Sequence, residues 1–357
     1  MLNKNKYTVI GVMSGTSLDG LDIACCQFEL KDQHWTYSII EALTFPYDYV
    51  WTHRLEQAQS LSALDMVQLD KNLGAYIGNK VRKFIEKYQL QVDFIASHGH
   101  TIFHQPEKGI TLQVGSGEMI ASECRMTTVF DFRSLDVALG GQGAPLVPVG
   151  DELLFSGYTY CLNLGGFSNI SYRENSKRLA YDICPVNSVL NRLCPPFDKG
   201  GETGRMGNVH QNLLYALNSI AFYSLPPPKS LGKEWLDQEF MTIIKSYDCS
   251  TEDKIRTVYE HIAMKISRAI NPSKNKSDMP KVLLSGGGTY NDFLIELISE
   301  KSEAEFVIPS PELVEFKEAL VFAFLGVLRM RGEINCLASV TGARQDSCGG
   351  VVIDYRI

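Results

Sequence analysis

Residues 7–28 read YTVIGVMSGTSLDGLDIACCQF and decide the fold class. Residues 7–12 and 23–28 are rich in β-branched and apolar side chains, which predicts two strands. Between them lie the glycines and hydroxyl residues that are typical of a tight connection. The chain is therefore predicted to open with a β-hairpin whose turn is rich in hydrogen-bond donors.

Outward from this hairpin, short β-rich runs alternate with longer helical ones, which indicates an α/β fold. Ser62 and Asp65 form the pattern of a capping box. Behind them apolar residues recur every three or four positions from Leu73 to Tyr88, which predicts an amphipathic helix. Further strands are predicted at residues 92–97, where His98 ends the strand, at 110–114 and at 127–130.

The same opening recurs later in the chain. Residues 160–164 and 169–173 are predicted strands joined by a tight turn at Gly165-Gly166, and helices are predicted at 255–270 and 312–331. A further strand at 281–284 runs into a glycine cluster. The length of 357 residues suits about two domains. We predict two α/β lobes with a ligand cleft between them: residues 1–135, joined by 342–357, and residues 136–341.

Composition excludes several classes of protein. Hydrophobic residues make up 45% and charged residues 21% of the chain, as in ordinary globular domains. A net charge of −7 without a stripe of Lys and Arg argues against nucleic-acid binding. Nine cysteines without a CxxC pair fit neither a disulfide framework nor structural zinc. The longest apolar run, 319–328, is half a membrane span. We expect a soluble, cytoplasmic protein without nucleic-acid or membrane partners.

The first glycine-rich turn has two interpretations. Gly15 and Gly20 have the spacing of a P-loop, but Leu21 and Asp22 stand where that motif needs Lys and Ser or Thr. No GxGxxG sequence opens a helix after a strand, so a dinucleotide fingerprint is absent as well. The turn could cradle phosphate with its N–H and O–H donors, with Asp19 or Asp22 holding a hydrated Mg²⁺. It could also be a plain hairpin turn.

Two more glycine clusters follow predicted strands, Gly165-Gly166 and Gly286-Gly287-Gly288. Glycine allows a ligand to approach the backbone closely, and ligands of open α/β sheets bind beyond the carboxyl ends of strands. The three clusters together indicate a nucleotide held between the two lobes.

Single charged residues could complete a site. Asp182 is predicted to lie in a turn, where its carboxylate could act as a general base or cap the helix that begins near Asn187. Arg133 could bind a substrate carboxylate or pair structurally with Asp136. Glu318 lies within an apolar helix and is expected to face solvent.

Three histidines, His98, His100 and His104, lie in the sequence HGHTIFH. His98 and His100 would share one face of a strand, which allows a metal site. No fourth ligand is evident, so the favoured interpretation is a polar wall of the cleft.

Longer motifs carry a resemblance to a known family. In chain order they are VMSGTSLDG (12–20), SHG (97–99) with Thr101, DFR (131–133) with DVA (136–138), GGQGAPLVP (140–148), PPPKS (226–230), GGG (286–288) with Asn291, Glu318-Ala319, and VTGA (340–343). Over nearly its whole length the chain resembles the anhydro-N-acetylmuramic acid kinases of bacterial cell-wall recycling.

The resemblance implies a duplicated actin/hexokinase-like (ribonuclease H-like) fold, ATP and Mg²⁺ as cofactors, and an amino-sugar substrate. It further implies that water opens the 1,6-anhydro ring while the γ-phosphoryl group moves to O6, with Asp182 as the general base. A homodimer would be in keeping with it. The residues expected to bind ATP are Gly15, Thr16, Ser17, Leu18, Asp19, Gly20, Leu21, Asp22, Gly165, Gly166, Gly286, Gly287, Gly288 and Asn291. Those expected to bind the sugar are His98, Arg133, Asp136, Gln142, Asn187 and Glu318.

The sequence departs from the family pattern in three places. Residues 183–187 read ICPVN where the family usually has TGPGN, His100 replaces a Gln, and Leu231 replaces a Thr. These departures leave open a catalytically altered relative that acts on another anhydro-sugar or serves as a nucleotide- or sugar-binding sensor. An actin-like or chaperone-like ATPase and a His-cluster metallohydrolase are further alternatives.

Overall fold

The structure is a computed structural model that describes residues 4–15, 17–270 and 279–355. Its strands are β1 Lys6–Ser14, β2 Gly20–Lys31, β3 His34–Pro46, β4 Phe94–Gln105, β5 Ile110–Val114, β6 Thr128–Phe130, β7 Tyr160–Leu164, β8 Phe167–Glu174, β9 Lys177–Pro185, β10 Lys281–Ser285, β11 Glu305–Val307 and β12 Val351–Ile353.

Helices fill most of the remaining chain. The α-helices are α1 Tyr49–Glu56, α2 Ala63–Tyr88, α3 Gly117–Cys124, α4 Ser134–Ala138, α5 Pro148–Leu153, α6 Asn187–Leu193, α7 Glu202–Met206, α8 Gln211–Asn218, α9 Lys233–Trp235, α10 Met241–Ser246, α11 Thr251–Ala269, α12 Asp292–Glu300, α13 Pro311–Arg331 and α14 Ala338–Thr341. A π-helical segment, Leu236–Phe240, joins α9 to α10. Short 3₁₀ segments lie at Ala58–Ser60, Pro106–Lys108, Lys199–Gly201, Ala221–Ser224 and Gly287–Tyr290.

The strands form two sheets with the same internal order. In the first, β1 pairs antiparallel with β2 and β2 with β3, while β4 and β6 continue parallel on the other side of β1. In the second, β7, β8 and β9 form the antiparallel part, and β10 and β11 continue parallel on the other side of β7. The repeated order β6-β4-β1-β2-β3 and β11-β10-β7-β8-β9 confirms the duplicated α/β fold that the sequence predicts.

The chain divides into two compact units, each with its own sheet. The first comprises the chain up to Leu154 and from Phe316 onward, and the second is Phe155–Glu315. These bounds differ from the predicted ones, 1–135 with 342–357 and 136–341, because α5 and most of α13 pack in the first unit. A Cβ on Gly150 of α5 would lie 2.6 Å from a Val321 methyl group of α13.

Several elements match the sequence predictions and others do not. Ser62 caps α2 by accepting from Asp65 N, and the predicted apolar face of α2 is buried in the core of the first unit. β4 does not end at His98 as predicted. Gly99 takes a left-handed φ of +74° and the strand continues to Gln105, where it pairs with β5 as a hairpin.

The described part of the chain holds no helix with the length and apolar character that crossing a bilayer requires.

One close approach between elements can be tested directly. A Cβ on Gly11 of β1 would lie 1.9 Å from the Ala319 carbonyl oxygen of α13, so we expect Gly11→Ala to lower the free energy of unfolding by about 1–3 kcal/mol, as overpacking does. Gly157→Ala is the matched control, because no atom lies within 4 Å of its Cβ position. Urea denaturation measures both, and equal stabilities would contradict this packing.

Candidate functional site

The turn between β1 and β2 carries the first predicted ATP-binding stretch. Leu18 takes a left-handed φ of 61° and donates from its N–H to Gly15 O over 3.2 Å, which closes the turn. Ser17 Oγ donates to Asp19 Oδ1 over 2.8 Å, and Asp22 Oδ1 accepts from Thr44 Oγ1 over 2.6 Å. The hairpin is thus the predicted donor-rich turn with two carboxylates at one end.

Not every residue of this stretch is available to a ligand. The Leu21 side chain is fully buried in the core of the first unit. A Cβ on Gly20 would lie 2.6 Å from Phe45 O, so this glycine serves the packing of β2 on β3. Thr16 lies outside the described residues. Among the others, Ser17 and Asp19 are the exposed members.

His98 and Arg133 form a pair in the first unit. Arg133 Nε donates to His98 Nε2 over 2.9 Å, and His98 Nδ1 lies 2.9 Å from Gly99 O, so the ring is neutral with its proton on Nδ1. Burial, followed by the charge of Arg133, holds the pKa of His98 well below its usual range. Arg133 Nη1 donates to Gly143 O over 2.6 Å, while Nη2 makes no hydrogen bond within the described residues.

Arg133 and Glu318 are close enough that the charge of each shifts the pKa of the other. The Glu318 side chain is exposed on α13, yet its pKa is raised, because protein surrounds the carboxylate at longer range and desolvates it. The charge of Arg133 lowers that pKa, and the charges of Asp22 and Asp19 raise it. Burial lowers the pKa of Arg133 to about 10, which leaves the guanidinium charged at neutral pH.

Asp136, which the sequence predicts to bind the sugar, is hydrogen-bonded within the protein. Its carboxylate is 1% exposed and accepts from Gly143 N over 2.7 Å and from Thr341 Oγ1 over 2.8 Å, with the Cys336 thiol as a third donor. These bonds hold the glycine-rich loop after α4 against the C-terminal segment. Gln142 lies on that loop with an exposed side chain, and its backbone N donates to Thr341 O.

The histidine cluster does not assemble as a metal site. His100 is 3% exposed, and its Nδ1 lies 2.9 Å from Ser14 Oγ, which also contacts the Tyr47 hydroxyl over 2.7 Å. Burial lowers the pKa of His100 to about 4, so this ring is neutral. Within the described ranges no group of three or more His, Cys, Asp or Glu side chains is arranged to hold a metal ion.

In the second unit, Asp182 lies inside β9 and not in the predicted turn. Leu231 N donates to Asp182 Oδ2 over 2.8 Å, and Asp182 N donates to Lys229 O over 3.0 Å, so the proline-rich loop runs along the outer edge of β9. Asp182 does not cap the following helix, because the N-cap position of α6 is Val186.

The environment of Asp182 suits a general base. Desolvation by burial raises its pKa to about 6, and the Leu231 N–H opposes that shift. A carboxylate with this pKa is ionised at neutral pH and is a better proton acceptor than an exposed Asp. Strong perturbation of this kind is characteristic of functional sites.

Asn163 joins the two glycine turns of the second unit. A Cβ on Gly286 would lie 2.5 Å from Asn163 Oδ1, and one on Gly165 would lie 3.2 Å from Asn163 Nδ2. Ser285 Oγ donates to Asn163 Oδ1 over 3.4 Å. The side-chain amide of Asn163 therefore lies between the turns that follow β7 and β10. It is not among the predicted site residues, although its position two residues before Gly165 is a signal that the sequence offers.

The glycines of these turns differ in how much of their backbone is exposed to solvent. Gly166 and Gly287 are exposed, and the nearest atom to a Cβ on Gly287 would be Asn187 Nδ2, 3.9 Å away. Gly288 is buried, and its Cβ would meet Leu164 O at 2.8 Å. Asn187 Nδ2 donates to Leu164 O over 3.2 Å, which holds α6 beside the Gly288 turn.

Asn291, which is expected to bind ATP, caps α12. Its Oδ1 accepts from Leu294 N over 3.1 Å and its Nδ2 donates to the Tyr259 hydroxyl over 2.6 Å. The carboxamide is therefore engaged within the protein and orients the exit of the Gly286–Gly288 turn.

Comparison with known proteins adds the decisive observation. A sequence model described as "Anhydro-N-acetylmuramic acid kinase" matches residues 7–355. The chain belongs to this family. An anhydro-N-acetylmuramic acid kinase of Francisella tularensis subsp. novicida is 33% identical, over 96% of this chain and 97% of its own length. One of Vibrio cholerae is also 33% identical with the same coverage, and one of Bacillus thuringiensis is 31% identical over 94% and 96%.

Among solved structures, an activator of 2-hydroxyisocaproyl-CoA dehydratase from Clostridium difficile with bound ADPNP aligns with a TM-score of 0.41 at 11% identity, over 91% of this chain and 97% of that one.

Two of the three departures from the kinase family pattern are compatible with the local structure of the second unit. Ile183, Cys184 and Val186 are buried in the core of the second unit, so these bulkier side chains point away from solvent. Leu231 contacts Asp182 through its backbone N–H, which any residue except proline supplies.

The raised pKa of Asp182 predicts a pH-dependent stability effect. The folded-state pKa is about 6 and the ordinary value is 3.8, so ionised Asp182 destabilises the fold fully above pH 6 and not below pH 4. We expect Asp182→Asn to raise the free energy of unfolding at pH 8 by up to about 3 kcal/mol and to lose that gain between pH 6 and pH 4. Urea denaturation at pH 8 and at pH 4 measures this difference in stability, and Asp32→Asn, at an exposed position, is the control. A gain that does not change with pH would contradict the assignment.

Proposed function

We propose that the protein is an ATP-dependent kinase that opens the 1,6-anhydro ring of anhydro-N-acetylmuramic acid with water and phosphorylates O6. The product is N-acetylmuramic acid 6-phosphate. One observation carries the proposal: Asp182, in a chain of this kinase family, is a partly buried carboxylate whose pKa is raised to about 6.

The proposed reaction uses Asp182 as a base toward water. Asp182 takes a proton from water as the water oxygen bonds to the anomeric carbon, C1. The bond between C1 and O6 breaks and leaves its electron pair on O6, which bonds to the γ-phosphorus of ATP. ADP departs with the electrons of the broken P–O bond, and the proton passes from Asp182 to solvent. Leu231 N–H occupies Oδ2 and thereby leaves Oδ1 to accept the proton.

The glycine turns support ATP binding. The exposed Gly287 backbone has no described atom closer than 3.9 Å to its Cβ position, so a phosphate group can approach its N–H closely. The hairpin of the first unit offers a second set of donors, with Ser17 exposed beside Asp19.

Asp19 and Asp22 are the residues we propose to hold Mg²⁺ through water. Their chemistry fits, because Mg²⁺ prefers oxygen ligands, keeps several waters, and is bound by one or two carboxylates together with substrate phosphates. The hydroxyls of Ser17 and Thr44 fix the orientation of the two carboxylates. When bound, Mg²⁺ neutralises charge that develops on the transferred phosphoryl group.

Arg133, His98 and Glu318 are proposed to bind the sugar. Arg133 is held rigidly by His98 Nε2 and Gly143 O, and its Nη2 still has donors for a substrate carboxylate or hydroxyl. Glu318 is exposed in the same neighbourhood and offers acceptors for sugar hydroxyls. Asp136 supports this group through the Gly143 loop.

The proposal also includes the biological setting that the resemblance implies. The reaction belongs to cytoplasmic recycling of cell-wall peptidoglycan, and the enzyme acts as a homodimer.

A coupled assay of ADP release tests the activity. We expect ADP to form only when ATP, Mg²⁺ and 1,6-anhydro-N-acetylmuramic acid are all present, with a phosphomonoester in the ³¹P NMR spectrum of the product. ATP hydrolysis without sugar would favour an ATPase instead. Absence of sugar-dependent ADP would remove the kinase function for this substrate.

Asp182→Asn tests the assigned base. The variant cannot accept the proton, so kcat is expected to fall by about 10²–10⁴-fold. The affinity for ATP, measured by calorimetry, should stay within about threefold, because the base acts on water and not on the nucleotide. For the unaltered enzyme, kcat/KM should fall tenfold per pH unit below about pH 6. Asp32→Asn should match the unaltered enzyme, and a comparable loss of ATP binding in Asp182→Asn would refute the role.

A further inference from the structure

Four polar residues form a row across the second sheet. Strand register places Ser285 of β10 beside Asn163 of β7, Asn163 opposite Asn169 of β8, and Asn169 opposite Asp182 of β9. Residues directly opposite each other in paired strands carry their side chains on the same face. The neighbouring position of β8, Ile170, faces the core on the other side of the sheet. The row is therefore a polar stripe on one face of the sheet.

Within this row Asn169 and Asp182 are direct partners across β8 and β9. The backbone N–H of Asp182 points away from β8, toward Lys229 O. The pair is consequently the non-hydrogen-bonded type, in which opposed Cα atoms approach to about 4.5 Å and the side chains lie nearest to each other. A β-bulge follows at once, because the next pair in the register is Ser168 with Cys184.

The two asparagines differ in how their amides are used. Asn163 accepts from Ser285 and lies between the glycine turns. The Asn169 side chain is half-buried and makes no hydrogen bond with any described residue. Asp182 Oδ2 is engaged by Leu231 N, and Oδ1 has no such partner within the described chain. An unengaged amide thus stands opposite an unengaged carboxylate oxygen.

We propose that Asn169 is a further catalytic residue, whose side-chain amide holds the water that Asp182 deprotonates. The inference rests on the proposed function. Water has two hydrogens: Asp182 Oδ1 accepts the one that is removed, and Asn169 Oδ1 accepts the other, which directs a lone pair of the water oxygen toward C1. The proton still passes to Asp182 and the second O–H bond is retained in the new hydroxyl, so Asn169 exchanges no proton.

Steady-state kinetics of Asn169→Ala test the inference. Loss of orientation should lower kcat by about 10–10²-fold, with KM for ATP within about twofold of the unaltered enzyme. Asn212→Ala, the same change at an exposed position of α8, is the matched control and should have no effect. An unchanged kcat, or a change confined to KM, would overturn the proposal.

The variant Asn169→Asp tests whether the side chain at position 169 lies against the Asp182 carboxylate, and it keeps the side chain's size if the alanine variant fails to fold. A second carboxylate opposite Asp182 should raise the apparent pKa of the pair, moving the acid limb of kcat/KM up from about pH 6 by about one unit. An unmoved limb would overturn the proposal.

The two proposals fail in different ways. Without sugar-dependent activity in the unaltered enzyme, or with full activity in Asp182→Asn, the proposed function falls and this inference falls with it. If both behave as expected while the Asn169 variants keep kcat and the acid limb, only the role of Asn169 is lost.

Discussion

In each unit the arrangement of functional residues depends on one central strand that pairs antiparallel on one side and parallel on the other. β1 pairs with β2 and β4, and β7 pairs with β8 and β10. The carboxyl end of such a strand leads into a hairpin turn and lies beside the carboxyl end of its parallel neighbour. Consequently Ser14 meets His100 in the first unit, and Asn163 meets Gly286 in the second. The duplicated topology repeats the place at which chemistry can be built, while the residues that occupy it differ.

Burial shifts the pKa values of several ionisable groups, but it leaves only some of them accessible to a ligand. Asp182 is desolvated but still partly exposed, so its raised pKa leaves an accessible base. Cys184, two residues away, is fully buried and its pKa is raised to about 12, which leaves the thiol inert. In the first unit, burial keeps His98 neutral while Arg133 remains charged. A perturbed pKa therefore indicates function only where the group also keeps a route to a substrate.

Local signals explain which predictions succeeded. The turn residues between β1 and β2, the capping box at Ser62 and the apolar periodicity of α2 act over a few residues, so they can be recognised in the sequence without knowledge of the fold. The thirteen residues of β3 carried no such signal, because this strand alternates between exposed and half-buried positions and owes its conformation to pairing with β2. The sequence predicts that β4 ends at His98, whereas pairing with β5 carries the strand onward through Gly99.

The sequence by itself determined the family, the paired hairpins, the glycine clusters and the candidate base at position 182, because long ordered motifs and local patterns carry that information. Only the tertiary structure decided that the first unit ends at Leu154 and resumes at Phe316. It also decided that the side chains of Asp136 and Asn291 are hydrogen-bonded within the protein, and that Asn169 stands opposite Asp182. Burial, hydrogen-bond partners and strand register depend on residues far apart in the chain, and no local pattern of amino acids records which distant residue will lie opposite.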